Sequence, residues 1–254
     1  MDIQAYFRRI GLPEDTKVEP TGAFLSRLQY QHVTHVPYEN LDILAKKPLS
    51  LDVDDLYKKI VLDRRGGYCF EVNALFKALL LALGFKVKSY FARYLRGESE
   101  IPVRRHHVLA VEAADGTYIC DVGIGQTAPR FALLWEEGLV QRQGDEAYKL
   151  ERDDVLGWVL WEEKDGAWCR YFSFTEDVAL DIDFIQPSFY CELHPASPFN
   201  KTAIVAIKTP EGRKAIDDRT FKLYQNGTLP HREEIPTDAR LAEVLREHFG
   251  IVVK

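Results

Sequence analysis

Apolar residues recur at helical spacing through the first third of the chain. Ile3, Tyr6, Phe7 and Ile10 share one face, and Gly11-Leu12-Pro13 stops the run. Thr21 is placed to cap a second helix with Phe24, Leu25 and Leu28 as its stripe. Pro37 then pushes its predecessor out of helix geometry. Asp52 or Asp54 caps a third helix that ends near Val61. Residues 74–83 are rich in helix formers and halt at Gly84, the pattern of a buried helix. Beyond them the period shortens. Residues 86–93, 107–112, 117–122, 158–163 and 168–174 are rich in β-branched and aromatic residues, with Asp115-Gly116 and Asp165-Gly166 as turns. Short strands between turns predict an antiparallel sheet or barrel. The pattern turns helical or irregular around Phe189-Tyr190-Cys191, then strand-like over 202–208 and 220–224. A last helix is capped by Thr237, striped by Leu241, Val244, Leu245 and Phe249, and followed by Gly250.

Composition narrows the function classes. A net charge of −6 leaves no electrostatic footprint for nucleic acid. The longest apolar run, residues 78–85, is far too short to span a bilayer, and there is no polybasic anchor. The N-terminus lacks the apolar core of a signal peptide. Cys69, Cys120, Cys169 and Cys191 stand far apart with no C-x-x-C pair, which argues against zinc and a disulfide framework. The expected setting is the reduced cytoplasm.

One stretch carries candidate chemistry. In Arg64-Arg65-Gly66-Gly67-Tyr68-Cys69-Phe70-Glu71-Val72-Asn73 two glycines permit a tight turn, and Cys69 follows in the first turn of the buried helix. Free backbone N–H groups, the helix dipole and the two arginines all favour thiolate there. The hairpin adds a base and its orienter. If Val111 pairs with Thr117, His107 lies opposite Asp121 on the same face. A shift by one residue would separate them. Alternation also sends only one of His106 and His107 toward Asp121. Cysteine, histidine and aspartate together make a thiol acyl-transfer site. The Gly123-Ile124-Gly125 step is by itself a weak phosphate cradle or a plain turn.

These residues match a known pattern. The Cys69 stretch, Val36-Pro37-Tyr38-Glu39-Asn40-Leu41 upstream, the hairpin ending Asp121-Val122-Gly123, and His194-Pro195-Ala196-Ser197-Pro198-Phe199 resemble the arylamine N-acetyltransferases in order and spacing. The resemblance implies an α+β fold in three parts. These are a helical bundle over 1–90 carrying the nucleophile, an antiparallel β-barrel over 91–195 carrying His and Asp, and an α/β lid over 196–254. Its core would be the Cys-His-Asp arrangement of cysteine proteases. It implies Cys69 as nucleophile, His107 as base and Asp121 as orienter, with Glu39 and Arg64 as a supporting polar pair. Gly123, Gly125 and Phe199 fall at the coenzyme, and Ile124 and Tyr38 at the acceptor. The implied co-substrate is acetyl-CoA, without metal, and the implied acceptors are small arylamines, arylhydrazines or arylhydroxylamines, acetylated through an acetyl-cysteine as in xenobiotic metabolism. Two departures stand out: His106 where Thr is common before the catalytic histidine, and Ile124 where Phe is common. The residues leave two other readings open, a thiol hydrolase of the transglutaminase or protease kind and a non-enzymatic scaffold. Oligomeric state is not specified.

Overall fold

The computed structural model describes residues 1–253. Helices α1 (Ile3–Arg9) and α2 (Gly22–His35) form where the apolar stripes predict them, capped by Asp2 and Thr21. Strand β1 (Tyr38–Glu39) and short helix α3 (Leu41–Leu44) follow. Helix α4 (Val53–Tyr57), capped by Asp52, runs into a π-turn over Lys58–Leu62. Helix α5 (Cys69–Ala82) is the centre of this part. Its Phe70, Val72, Leu75, Phe76, Leu79 and Leu80 are all essentially inaccessible. Burial of each such side chain contributes about 1.5–3 kcal/mol, which anchors the first turn of the helix as well as its middle.

Strands β2 (Lys86–Tyr94), β3 (His106–Ala113), β4 (Gly116–Cys120), β5 (Leu133–Leu134), β6 (Gln141–Gln143), β7 (Glu146–Asp153), β8 (Gly157–Lys164) and β9 (Ala167–Ala179) form one antiparallel sheet in the order β5-β4-β3-β2-β9-β8-β7-β6. The sheet curls until its two edges meet. There, two glutamines stand in for the missing ladder. Gln141 accepts from the Leu134 N–H and donates to its carbonyl, at 2.7 and 2.9 Å, and Gln143 does the same for Phe131, at 2.9 and 3.0 Å. The barrel interior packs Val108, Ala110, Ile119, Leu133, Leu160 and Phe172. Its other face meets the helices through Leu109, Val111 and Cys120.

Helix α6 (Ile185–Leu193) leads to a second sheet of β10 (Ile204–Thr209), β11 (Gly212–Asp217), β12 (Thr220–Gln225) and β13 (Thr228–Glu234). Helix α7 (Asp238–Phe249) covers that sheet, capped by Thr237 and ended by Gly250 at φ 68°. The order is β1-β10-β11-β12-β13, so a strand from the N-terminal part completes this sheet, with Tyr38 opposite Ala206 and Glu39 opposite Val205. Among the described residues no helix is long and apolar enough to cross a membrane, and no acidic, histidine or cysteine cluster is arranged to hold a metal. All four cysteines are free thiols.

Candidate active site

Cys69 is the first residue of α5, and the chain reaches it through a crowded crossing. A Cβ on Gly66 would stand 2.0 Å from the Pro37 carbonyl oxygen, which is why glycine is needed there. The Glu39 N–H donates to the Gly67 carbonyl at 3.0 Å, so β1 and the loop leading to Cys69 are tied together. Glu71 accepts from the Tyr68 N–H at 3.1 Å, the reciprocal half of a capping box, and fixes where the helix begins.

The ion pair beneath this loop differs from the expected one. Glu39 accepts from Arg65, through Nε at 2.9 Å and Nη2 at 2.7 Å, and Arg65 also reaches Asp42 at 3.2 Å. Arg64 is exposed, with left-handed backbone at φ 55°, and has no part in the pair. The expected Glu39–Arg64 pairing is therefore corrected to Glu39–Arg65. The cause is the turn itself, which rotates consecutive side chains to opposite sides.

The hairpin register corrects the histidine. Val111 pairs with Tyr118 and Glu112 with Thr117, one residue away from the expected Val111–Thr117 pairing. Ala114-Asp115 is the loop, held by Ala114 N–H on the Pro20 carbonyl (2.7 Å) and by Asp115 Oδ1 on the Gly22 N–H (2.7 Å). Because side chains alternate, a one-residue shift exchanges the faces. His106, with Val108 and Ala110, looks into the barrel, and its Nε2 lies 2.6 Å from Asp121 Oδ2. His107 looks the other way. Its Nε2 meets Ser89 Oγ at 3.0 Å, its ring stacks on Phe184 at 4.1 Å, and its Nδ1 is buried without a partner. Burial, with His106 and Lys77 nearby, holds its pKa well below the ordinary histidine value. The expected placement of His107 at Asp121 is thus wrong, and so is the departure assigned to residue 106. His106 is the histidine at Asp121, and the residue before it is Arg105.

Asp121 is buried and fully engaged. Oδ1 accepts from Asn73 Nδ2 at 3.0 Å and from the Gly123 N–H at 2.8 Å, and Gln29 Oε1 accepts from the Asp121 N–H at 3.2 Å. Asn73, one helical turn after Cys69, also donates to the His107 carbonyl at 2.7 Å and accepts from the Val122 N–H at 3.0 Å. One side chain thus registers α5 against both strands. Gln29 and Asn73 are site residues to which sequence reasoning gave no role, and Arg65, expected to favour the thiolate, is instead bound to Glu39; Asn73 sits at i+4 from Cys69 on the same helix face, a signal that was readable.

Cys69, His106, Tyr38, Ile124, Gly125 and Phe199 line one cavity of about 370 Å³. A larger groove of about 1050 Å³ runs between residues 43–52 and α6 and does not include Cys69. Gly123 also borders the site, but its N–H is spent on Asp121 and a Cβ there would stand 2.7 Å from Cys69 Cα. It is a close-packing glycine at the edge of the cavity. Cys69 Sγ lies 3.8 Å from the Arg105 carbonyl. Burial pushes the Cys69 thiol well above the usual thiol range, with the Cys191 thiol and Asp121 adding to the effect. The Phe70 N–H at the helix start and the Arg105 guanidinium pull in the opposite direction without prevailing. The helix start and the guanidinium thus act in the direction expected for a thiolate, against burial.

A family model described as N-acetyltransferase matches residues 23–254. Over its whole length the chain is 35% identical to the arylamine N-acetyltransferase of Mycobacterium tuberculosis, covering 90% of that protein. The chain belongs to the arylamine N-acetyltransferase family. It is an acyltransferase, and the family resemblance read from the Cys69 stretch and the hairpin is confirmed. Among solved arylamine N-acetyltransferases, that of Salmonella typhimurium superposes with a TM-score of 0.93 at 28% identity, covering 99% of this chain and 92% of that one. The Mycobacterium marinum enzyme in complex with CoA gives 0.91 at 29% identity, covering 98% and 93%. These matches bear out the α+β arrangement of helices and antiparallel barrel.

Proposed function

We propose that the protein moves an acetyl group from acetyl-CoA to the nitrogen of small arylamines, arylhydrazines or arylhydroxylamines by double displacement, with Cys69, His106 and Asp121 as the working residues. The observation that carries this reading is that Cys69 and His106 share one cavity while Asp121 holds the far nitrogen of His106. With Nε2–H donating to Asp121, Nδ1 is the nitrogen left to accept a proton. His106 takes the proton of the Cys69 thiol, and the thiolate, steadied by the Phe70 N–H at the helix start, attacks the thioester carbonyl of acetyl-CoA. The C–S bond to CoA breaks, the CoA sulfur receives the proton from His106, and acetyl-Cys69 remains. The amine then attacks the acetyl carbon, His106 accepts the proton from nitrogen, and Cys69 leaves and is reprotonated.

The first exchange is thioester for thioester and nearly balanced, while the second ends in a more stable amide. Tyr38, Ile124 and Phe199 supply apolar walls for the acceptor and the pantetheine arm, and Gly125 borders the same space. The test is initial-rate kinetics with acetyl-CoA and an arylamine varied together. Parallel reciprocal plots are expected, and intersecting lines would contradict an acetyl-enzyme.

A further inference from the structure

The barrel has two mouths, and the acetyl-transfer chemistry occupies one of them. Tyr94, Arg96 and His106 stand at the end that opens on Cys69. Ile119, Leu160 and Phe172 fill the middle. At the opposite end lies a separate cavity of about 480 Å³, within the range of small-molecule sites. Alternate strand residues face inward, so Lys86, Lys88 and Tyr90 of β2 line it together with Glu112 of β3 and Thr117 of β4. Trp135 stands across this mouth, edge-on to Tyr90 at 5.9 Å and to Trp158 at 5.6 Å between ring centres. The polar groups around it are not all matched. Lys86 pairs with Glu112 at 3.2 Å, and Arg152 pairs with Glu176 at 2.8 Å while lying 4.1 Å over the Trp158 ring. Among the described residues Lys88 has no ion-pair partner, and Tyr90, only 3% exposed, keeps a hydroxyl with no hydrogen-bond partner.

We propose that this second mouth binds small aromatic carboxylates, at a site separate from the acetyl-transfer cavity and independent of its chemistry. The ring lies against Trp135, and the carboxylate takes the Lys88 ammonium and the Tyr90 hydroxyl. Lys88 and Tyr90 are two residues apart on one strand face, about 7 Å along the backbone, and the long lysine stem closes that gap. The Tyr90 ring is backed by Phe174, stacked at 5.6 Å, so its hydroxyl is a fixed donor at the floor of the cavity. An unmet donor in a largely dry place is costly, and a charged acceptor satisfies it best. The same inventory selects against a cationic ligand. Arg152 already covers Trp158 and engages Glu176, and Glu112 is taken by Lys86, so no carboxylate is left to receive a second cation there.

The test is calorimetric titration of the whole protein, with and without excess CoA, using 2-naphthoate and its neutral counterpart 2-naphthamide. Wild type should bind naphthoate more tightly than the amide, and CoA should leave that affinity unchanged. Lys88→Gln should weaken naphthoate by about three- to fivefold, the scale of one partly exposed ion pair, and leave naphthamide unaffected. Trp135→Leu should weaken both ligands by about three- to tenfold, the scale of one aromatic contact. Lys88 is exposed, so Lys88→Gln decides the matter if Trp135→Leu fails to fold. Absence of saturable naphthoate binding overturns the proposal, as does equal affinity for the amide or an affinity unmoved by Lys88→Gln. Binding that disappears when CoA is added overturns it as well, by placing the ligand in the Cys69 cavity.

Discussion

His106 and His107 are chain neighbours with opposite surroundings, and a third histidine shows the same principle in the helical part. His32 lies between Tyr6 and Phe76, with both ring nitrogens buried and unpartnered. Burial, with Arg9 and His35 nearby, lowers its pKa from 6.5 to about 3. The unfolded chain therefore binds more protons between those values. Its contribution is complete above pH 6.5 and is lost as pH falls toward 3, by up to ~1.4 kcal/mol per pH unit. Glu71 runs the other way: its carboxyl rises from 4.5 to about 7 on burial, so it favours folding at low pH and less as pH rises through 7. The comparison of wild type with His32→Phe isolates the histidine. Denaturant melts at several pH values should show the variant gaining relative stability as pH drops below 6.5, and a pH-independent difference would contradict a neutral buried His32. Cys69 was legible in the sequence because its position depends on local features, two glycines and a helix start. The choice between His106 and His107 was not, because it depends on Pro20 and Gly22 gripping the hairpin loop from far away in the chain.

At the scale of elements, the amphipathic helices and the Asp165-Gly166 hairpin were legible, and the loop there has both residues in left-handed backbone as such a turn requires. The short strands β1, β5 and β6 were not. Two or three residues carry no period, and these strands exist because a neighbour pairs with them. The glutamine closure of the barrel belongs to this class. Gln143 is buried and holds both backbone groups of Phe131. Gln143→Ala leaves those groups without partners and is expected to cost about 1–3 kcal/mol. Faster hydrogen exchange confined to β5 and β6, with α5 unaffected, would locate the loss at the seam. Uniformly faster exchange would mean that the seam is not a separate closure.

The whole molecule brings distant segments to one cavity, among them β1 with Tyr38, α5 with Cys69, β3 with His106, and the β10–β11 sheet behind Phe199. Asn40 joins the first to the last. It donates to the Phe199 and Thr202 carbonyls, both at 2.8 Å, and accepts from the Ile204 N–H at 2.8 Å. Asn40→Ala should destabilise the protein by roughly 1–3 kcal/mol per orphaned group and raise the acceptor KM more than it lowers kcat, since the Phe199 wall loosens while the Cys69–His106–Asp121 set stays in place. An unaltered KM would detach that wall from acceptor binding. The convergence itself was legible only through family likeness, because nothing local in Tyr38-Glu39 announces a strand of the C-terminal sheet. Acid-quenched mass spectrometry after brief mixing with acetyl-CoA tests most directly which histidine serves Cys69. Wild type and a folded His107→Gln should carry one acetyl group on the Cys69 peptide, while His106→Gln and Cys69→Ala should carry none. Rapid acetylation of His106→Gln together with its loss in His107→Gln would contradict the site described.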